Sequence, residues 1–394
     1  MTRLMRLHAW RRIGATLTAA LGLACVCGLP AIAKAPPTAS EQPRMEMSVR
    51  ASQAADMFSA LTIDSPALVA RIARAERLPT ERADCYTDLE VTIRDAQGQN
   101  KRYRLERKGN LWDEAAQQML RLSPDASQRL VAYAETLRRR HYGELMDWNE
   151  ARNVVTRKSL FTIVDLESGL SFRVQRRAGS DHADVQPISR EDSKVMKRIY
   201  GGKWSWQRRA IVVSKDGTRI AASMNGMPHG GDGIPDNGFN GHFCVHFLGS
   251  SSHRSDTPDP AHQLMVHKAS GSLRSYFDSA SPQVLAASFV EALNQKDGEM
   301  LRLIWSDASA DRIEAMDRLI GRLESIYVKR TRTAERDDDV QDDKLSAAVA
   351  LPLLVRLQDR GTLHRELRFE FARSSPHLPW RIVEVASDHS SLIP

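Results

Sequence analysis

The spacing of hydrophobic residues changes along the chain, and the changes mark predicted modules. In residues 51–152, LWDEAAQQMLRL and ASQRLVAYAETLRRRHYGELMDW have apolar residues at helical spacing. YTDLEVTIRD and KRYRLERK alternate apolar and polar residues around the turn-former Gln-Gly-Gln-Asn, which indicates a hairpin. This region is therefore predicted to be a helical accessory domain with one hairpin, in which Asp125 caps the second helix.

Residues 153–278 are predicted to form a mostly-β domain. SLFTIVDLESGLSFRVQRRAG indicates two strands joined by a turn, and RRAIVVSKDGTRIAASM repeats the pattern with a tight turn at Lys215-Asp216-Gly217. Asp259-Pro260 then predicts the start of a helix, with Asp as the N-cap and Pro at the first helical position. Glycines, tryptophans and histidines cluster between the strands. Loops that a rigid sheet holds in place often carry functional sites, so we expect the chemistry here.

Residues 279–394 begin with an amphipathic helical pattern, SPQVLAASFVEALNQKDGEMLRLIW. Four strand-like segments follow: YVKRTRT, KLSAAVALPLLVRLQ, LHRELRFEFAR and WRIVEVA. Helices followed by antiparallel strands resemble the cone-shaped nuclear-transport-factor-like fold, a likeness of architecture that carries no function. The expected fold class is thus multidomain α+β: a helical module, a mostly-β domain and an α+β cone-like domain.

The N-terminal residues predict export. A basic start, MTRLMRLHAWRR, precedes the apolar stretch IGATLTAALGLACVCGLPAIA, which ends in Ala-Ile-Ala at residue 33. This order is typical of a cleavable secretory signal peptide over residues 1–33. Residues 34–50 are rich in Pro, Ser and charge and are predicted to be a flexible linker. The mature protein is expected to be periplasmic or otherwise exported, and to touch a membrane only if the signal segment stays uncleaved.

Removal of this leader changes the charge and cysteine counts. The chain has 56 Lys and Arg against 49 Asp and Glu, and four of those arginines lie in the leader, which leaves 52 against 49. So mild an excess argues against a nucleic-acid partner, because nucleic-acid binders concentrate basic charge on one face. Of the 4 cysteines, only Cys85 and Cys244 remain. Two cysteines cannot build a disulfide framework, so hydrophobic cores must hold the fold.

Residues 227–247, MPHGGDGIPDNGFNGHFCVHF, concentrate the candidate chemistry. Cys244 lies between His242 and His246, and His229 precedes it in a glycine-flanked loop. A cysteine nucleophile needs a nearby base and backbone amides that receive an oxyanion, and this stretch offers both. Zinc is the alternative use of His and Cys. However, alternate residues of a strand lie about 6.6 Å apart, a poor spacing for adjacent ligands of one ion.

His229-Gly230 and the later segment Gly-His-Phe-Cys-Val-His at 241–246 resemble the two catalytic elements of the YkuD-type L,D-transpeptidases. Those elements are a His-Gly pair and a Ser/Thr-His-Gly-Cys motif, followed by a small apolar residue and Arg or Asn. The chain departs from the pattern at three positions: Gly241, Phe243 and His246.

The resemblance implies a role for each matching residue. Cys244 would be the nucleophile and His229 its base, with Gly230 orienting His229 through its carbonyl. His242 would line the site, and the amides near Phe243 and Cys244 would form the oxyanion hole. No cofactor would be needed.

Further residues are candidates for contact with a substrate. Trp204 and Trp206 are predicted to share one face of a strand, either as core residues or as a platform for a sugar ring. Arg208 or Arg209 could bind a substrate carboxylate in bidentate fashion. Asn225 could hydrogen-bond a bound peptide or form a turn, and His246 is a further candidate contact.

These expectations combine into an exported enzyme that acts on peptidoglycan stem peptides. The resemblance implies attack on a tetrapeptide stem, a thioester on Cys244, and transfer to an amine, as in a transpeptidase, or to water, as in a carboxypeptidase. Two other classes remain open. One is a non-catalytic periplasmic binding or scaffold protein, and the other is a zinc peptidoglycan hydrolase with the ligands His182, Asp184, His229 and His242.

Overall fold

The computed structural model describes residues 44–95, 98–231, 233–252, 255–329, 343–358 and 360–388. The predicted signal peptide and residues 34–43 of the predicted linker lie outside these ranges. Within them, the chain is a mixture of helices and antiparallel sheets.

A seven-stranded sheet dominates the first module, as far as its residues are described. The sheet order is β2-β1-β4-β5-β6-β7-β3. The elements are β1 (Arg44–Arg50), β2 (Phe58–Ile63), α1 (Pro66–Ala73), β3 (Glu76–Pro79), β4 (Cys85–Arg94), β5 (Asn100–Glu106), β6 (Leu111–Asp113), β7 (Gln118–Arg121), α2 (Pro124–His141) and α3 (Trp148–Val154). The prediction of a helical module with one hairpin is therefore wrong, because the module is built on a seven-stranded sheet that the helices accompany.

Three local predictions in this module need correction. LWDEAAQQMLRL forms the β6–β7 hairpin rather than a helix, since Asp113 accepts a hydrogen bond from the Ala116 amide and Gln117 takes a left-handed turn conformation. Residues 44–50 are strand β1 rather than linker, because their alternate residues are buried. Ser123, not Asp125, occupies the N-cap of α2, and Asp125 pairs with Arg71 from the first turn.

The second module is a closed barrel of six strands in the part of the chain that the structure describes, in the order β10-β13-β12-β11-β8-β9. The elements are β8 (Leu160–Asp165), β9 (Ser171–Ala178), β10 (Ala183–Pro187), α4 (Arg190–Ile199), β11 (Arg209–Lys215), β12 (Thr218–Met224), β13 (Phe243–His246), β14 (Ser251–Ser252), β15 (Ser255–Pro258), α5 (Pro260–Ala269) and α6 (Leu273–Ser279). The mostly-β prediction is confirmed in this coarse sense.

Two turn predictions in this module are confirmed. Asp216 and Gly217 both have positive φ, as the tight turn between β11 and β12 requires. Asp259 caps α5 by accepting hydrogen bonds from the amides of Ala261 and His262.

The third module packs helices on an antiparallel sheet, which in the described residues has the order β16-β17-β18-β19. Its elements are α7 (Pro282–Gln295), α8 (Gly298–Ile304), α9 (Ala310–Arg322), β16 (Leu323–Val328), β17 (Ser346–Leu357), β18 (Arg360–Ala372) and β19 (Arg381–Ser387). The long helical pattern is divided in two, since Lys296 adopts a left-handed conformation and Asp297 caps α8. The nuclear-transport-factor-like likeness stays a prediction.

The barrel core determines where the candidate chemistry lies. Phe243 and Val245 of β13 belong to the apolar cluster that fills the barrel. Because successive side chains of a strand point to opposite faces, Cys244 and His246 point away from that cluster. They are nevertheless buried, and the ring of His262, on α5, stacks on the ring of His246. The candidate site therefore lies on the outer face of the barrel, beside α5.

Over the described ranges, no helix has the combination of length and apolar character that a bilayer crossing requires.

A pH dependence of stability follows from His141 at the end of α2. Its side chain is fully buried, Nδ1 lies 2.9 Å from the Ser59 hydroxyl, and burial lowers its pKa from 6.5 to about 4. The folded state favours the neutral ring. The contribution of His141 to the free energy of unfolding is therefore complete above pH 6.5 and is lost as the pH falls towards 4. Between pH 7 and pH 5 the loss is about 2 kcal/mol.

We expect His141→Asn, which can keep the bond to Ser59, to narrow the fall in Tm between pH 7 and pH 5. Thermal unfolding of parent and variant at both pH values measures this. Equal falls in Tm in the parent and the variant would show that His141 is not the source of this pH dependence.

Candidate active site

A backbone pairing holds the histidine loop against the cysteine strand. The His229 amide donates to the His242 carbonyl at 2.9 Å, and the His242 amide donates to the His229 carbonyl at 2.8 Å. Gly241 permits this approach, because its φ is +103° and a Cβ there would lie 2.4 Å from the His229 carbonyl oxygen. His229 and Cys244, fifteen residues apart in the chain, thus meet at the end of β13.

The His229 ring is oriented as a base towards the thiol. Its Nε2 lies 3.1 Å from Cys244 Sγ, and its Nδ1 lies 2.9 Å from the Met227 carbonyl oxygen. A carbonyl oxygen only accepts hydrogen bonds, so Nδ1 carries the proton. In the neutral ring Nε2 then presents its lone pair to the sulfur. The structure thus brings His229 and Cys244 together in one site, as the sequence predicted.

The carbonyl that orients His229 belongs to Met227 and not, as the resemblance implied, to Gly230. Gly230 contributes space instead. Its φ is +70°, and a Cβ there would come within 2.2 Å of His242 Cε1. A side chain at this position would push the His242 ring away, so the glycine is required by the close approach of the two loops.

The environment of Cys244 favours the neutral thiol. Burial raises its pKa first, and the charge of Asp184 and a hydrogen bond to it raise the pKa further, while a hydrogen bond from Asn225 lowers it. This environment therefore does not favour a resting thiolate. Any nucleophilic step at Cys244 requires His229 to remove the proton as the sulfur attacks.

Asp184 is the polar centre of the site, and its place beside the nucleophile was not predicted. Its Oδ1 lies 3.1 Å from His182 Nε2, 3.7 Å from His242 Nε2 and 3.8 Å from Cys244 Sγ. Strand pairing explains the arrangement, since Asp184 of β10 lies directly opposite Cys244 of β13. The sequence signal is the His-Ala-Asp spacing at 182–184, which is typical of half of a metal or acid/base pair, or of a structural hydrogen bond.

Three buried histidine rings stack behind the nucleophile. The centroids of His182 and His246 lie 4.5 Å apart, and those of His246 and His262 lie 3.8 Å apart, with the rings nearly parallel. Burial, followed by the charges of neighbouring side chains, lowers the pKa of both His246 and His262. His246 is 2 % exposed, which leaves it no surface for the predicted contact with substrate.

Trp206 is the exposed aromatic wall of the site. It is 51 % exposed, and its ring centroid lies 5.3 Å from that of His229. Trp204 instead packs edge-on against Phe239 in the barrel, so the two tryptophans have different roles. The predicted strand through both is wrong, since β11 begins only at Arg209.

The two arginines predicted to bind a substrate carboxylate already have carboxylate partners. Arg208 Nη2 donates to Asp259 Oδ2 at 2.9 Å. Arg209 binds both oxygens of the buried Asp165. Asn225 lies closer to the chemistry. It is buried, it lies close enough to Cys244 to lower the pKa of the thiol, and its Oδ1 has no partner among the residues described.

The oxyanion assignment stays a prediction. Phe243 and Cys244 pair with Val185 and Asp184 of β10, so their backbone lies in the barrel wall. The pairing of β13 with β12 ends at Val245 and Met224, one residue short of Cys244.

The zinc set predicted as an alternative is only partly assembled. Asp184 lies near His182 and His242, whereas His229 directs its Nε2 at the thiol. No model of a known protein family matches this chain, and no curated protein is similar enough to match it.

The protonated thiol leads to a spectroscopic prediction. Cys85 and Cys244 are both free in the described chain, so Cys244→Ala removes one of two thiols. Below pH 8 we expect the parent and this variant to have the same thiolate absorbance at 240 nm, because the raised pKa of Cys244 keeps its sulfur protonated. An absorbance step near neutral pH that disappears in Cys244→Ala would instead show a preformed thiolate–imidazolium pair.

Proposed function

We propose that this protein is a cysteine acyltransferase of the L,D-transpeptidase type that acts on peptidoglycan stem peptides. The observation that carries the proposal is the orientation of His229. Its Nε2 lies 3.1 Å from Cys244 Sγ, while the Met227 carbonyl binds the opposite ring nitrogen. Such a set of nucleophile, base and orienting group is the arrangement that covalent acyl transfer requires.

In the first half of the reaction, Cys244 Sγ attacks the carbonyl carbon of the stem-peptide bond while His229 Nε2 accepts the thiol proton. The resulting imidazolium keeps its Nδ1–H bond to the Met227 carbonyl. Collapse of the tetrahedral intermediate breaks the carbon–nitrogen bond, and His229 returns the proton to the leaving amine. A thioester on Cys244 remains.

In the second half, an acceptor amine attacks the thioester carbonyl, and His229 Nε2 takes a proton from that amine. The carbon–sulfur bond breaks, and the proton passes to the sulfur. Water in place of the amine gives the carboxypeptidase reaction with the same residues. Both routes restore the neutral thiol that the buried setting of Cys244 favours.

The substrate class rests on the resemblance and on the predicted export of the chain. The exposed face of Trp206 supports it, because a flat aromatic surface beside the His229 ring offers a wall for a peptide or sugar ring. The His242 ring also contacts the His229 ring, edge to face at 4.6 Å, and its Nε2 lies 3.7 Å from Asp184 Oδ1. It shapes the site rather than taking the thiol proton.

We expect acyl-enzyme formation on a tetrapeptide stem to separate these roles. His229→Ala removes the base and should slow acylation by about 10²–10⁴-fold. His242→Ala should slow it less, and Cys244→Ala should abolish the adduct. Cys85→Ser is the matched thiol control and should behave like the parent. Intact-mass spectrometry of protein treated with a metal chelator measures the adduct.

Full adduct formation in Cys244→Ala would overturn the proposal. A larger loss in His242→Ala than in His229→Ala would exchange the roles of the two histidines. Activity that the chelator abolishes and zinc restores would favour the zinc hydrolase instead.

A further inference from the structure

A second set of side chains, which does not include His229, lies close to Cys244. His182, Cys244 and His246 each offer one ligand atom, and these atoms lie within 4.8 Å of one another. All three residues are at least nine-tenths buried. Two imidazole nitrogens and a thiolate are the donor types that Zn²⁺ prefers.

His182 is oriented as metal-binding histidines are. Its Nδ1 lies 2.9 Å from the Ser251 carbonyl oxygen, so Nδ1 carries the proton and Nε2 has the lone pair. A backbone carbonyl behind the ring is the usual outer support of a histidine ligand. Nε2 faces Asp184 Oδ1 at 3.1 Å. Both atoms are satisfied when a proton or a metal cation lies between them.

His246 supplies the second, independent observation. Its Nδ1 is buried and has no hydrogen-bond partner in the described part of the chain. Leaving such a group unpaired in the interior is unfavourable. The ring is held between His182 and His262 by stacking, so it is fixed in position without a polar partner for this nitrogen. Ligation of a metal ion would use the lone pair that the protein leaves unused.

We propose that His182, Cys244 and His246 bind one Zn²⁺, with Asp184 as the adjacent carboxylate, and that the bound ion withholds Cys244 from acyl transfer. The first part concerns binding alone, and the second rests on the proposed function. Binding forms a sulfur–zinc bond and releases the thiol proton to solvent, with no change of oxidation state. Acylation needs the same sulfur lone pair, so the two states exclude each other.

Binding requires the ligand atoms to move closer together and the nearly parallel rings of His182 and His246 to tilt towards one point. Ligand atoms on one tetrahedral Zn²⁺ lie about 3.3–3.6 Å apart, given bond lengths of about 2.0–2.3 Å. The widest separation in the cluster, 4.8 Å, must therefore close by about 1 Å. The pair His182 Nε2 and Asp184 Oδ1 is already near that spacing.

The test is a Zn²⁺ titration of the full chain after chelator treatment, followed by native mass spectrometry and calorimetry. We expect one tightly bound Zn²⁺ in the parent. Cys244→Ala and His246→Phe, the latter of which keeps a ring between His182 and His262, should weaken binding at least 100-fold. Two controls should bind like the parent: Cys85→Ser, and His267→Phe on the same helix as His262.

A measurement on the unmodified chain guards against variants that do not fold. We expect saturating Zn²⁺ to slow modification of Cys244 by methyl methanethiosulfonate at least tenfold, to leave Cys85 unchanged, and to lose this effect when chelator is added. The proposal is overturned if the parent binds no Zn²⁺ at tens of micromolar, if Cys244→Ala binds like the parent, or if Zn²⁺ leaves Cys244 unprotected.

His229→Ala separates this proposal from the proposed function, because His229 is not in the ligand set. It should bind Zn²⁺ like the parent and fail only in acylation. Acylation without Zn²⁺ binding would overturn the metal site alone. Zn²⁺ binding by a parent that forms no acyl-enzyme would overturn the proposed function alone.

Discussion

The two backbone hydrogen bonds between His229 and His242 are the interaction on which the rest of the site depends. They fix a glycine-rich loop against the end of β13 and so set the distance between His229 Nε2 and Cys244 Sγ. The approach needs Gly241, whose missing Cβ leaves room for the His229 carbonyl, and Gly230, whose missing Cβ leaves room for the His242 ring. Positions of this kind, with left-handed backbone and no space for a side chain, are the ones that only glycine fits.

Burial then decides the protonation of the groups that the loop brings together. It raises the pKa of the Cys244 thiol, aided by the Asp184 charge, and it lowers the pKa of His246 and His262. The resting site therefore avoids an isolated buried charge on the sulfur or on these rings, which would be expensive in a low-dielectric interior. Cys244 thus lies within reach of a base, His229, and close to the carboxylate of Asp184 and the rings of His182 and His246.

Sequence patterns predicted the parts of this molecule that local rules determine. The β11–β12 turn and the cap of α5 depend on residues that are neighbours in the chain, and both predictions are confirmed. The encounter of His229 with Cys244 was predicted from a motif. Asp184 was missed beside the nucleophile because only the register between β10 and β13 places it there. The apolar residues of LWDEAAQQMLRL have helical spacing, and strand pairing with β3 and β5 overrides this local pattern.

The central claim is that a neutral His229 presents an unprotonated Nε2 to a protonated Cys244. Long-range ¹H–¹⁵N correlation spectra of the histidine rings at neutral pH test this directly, with His229 assigned by comparison with His229→Gln. The account predicts a protonated Nδ1 and an unprotonated Nε2, as the Met227 carbonyl requires. A ring protonated on Nε2 alone, or on both nitrogens, would contradict it.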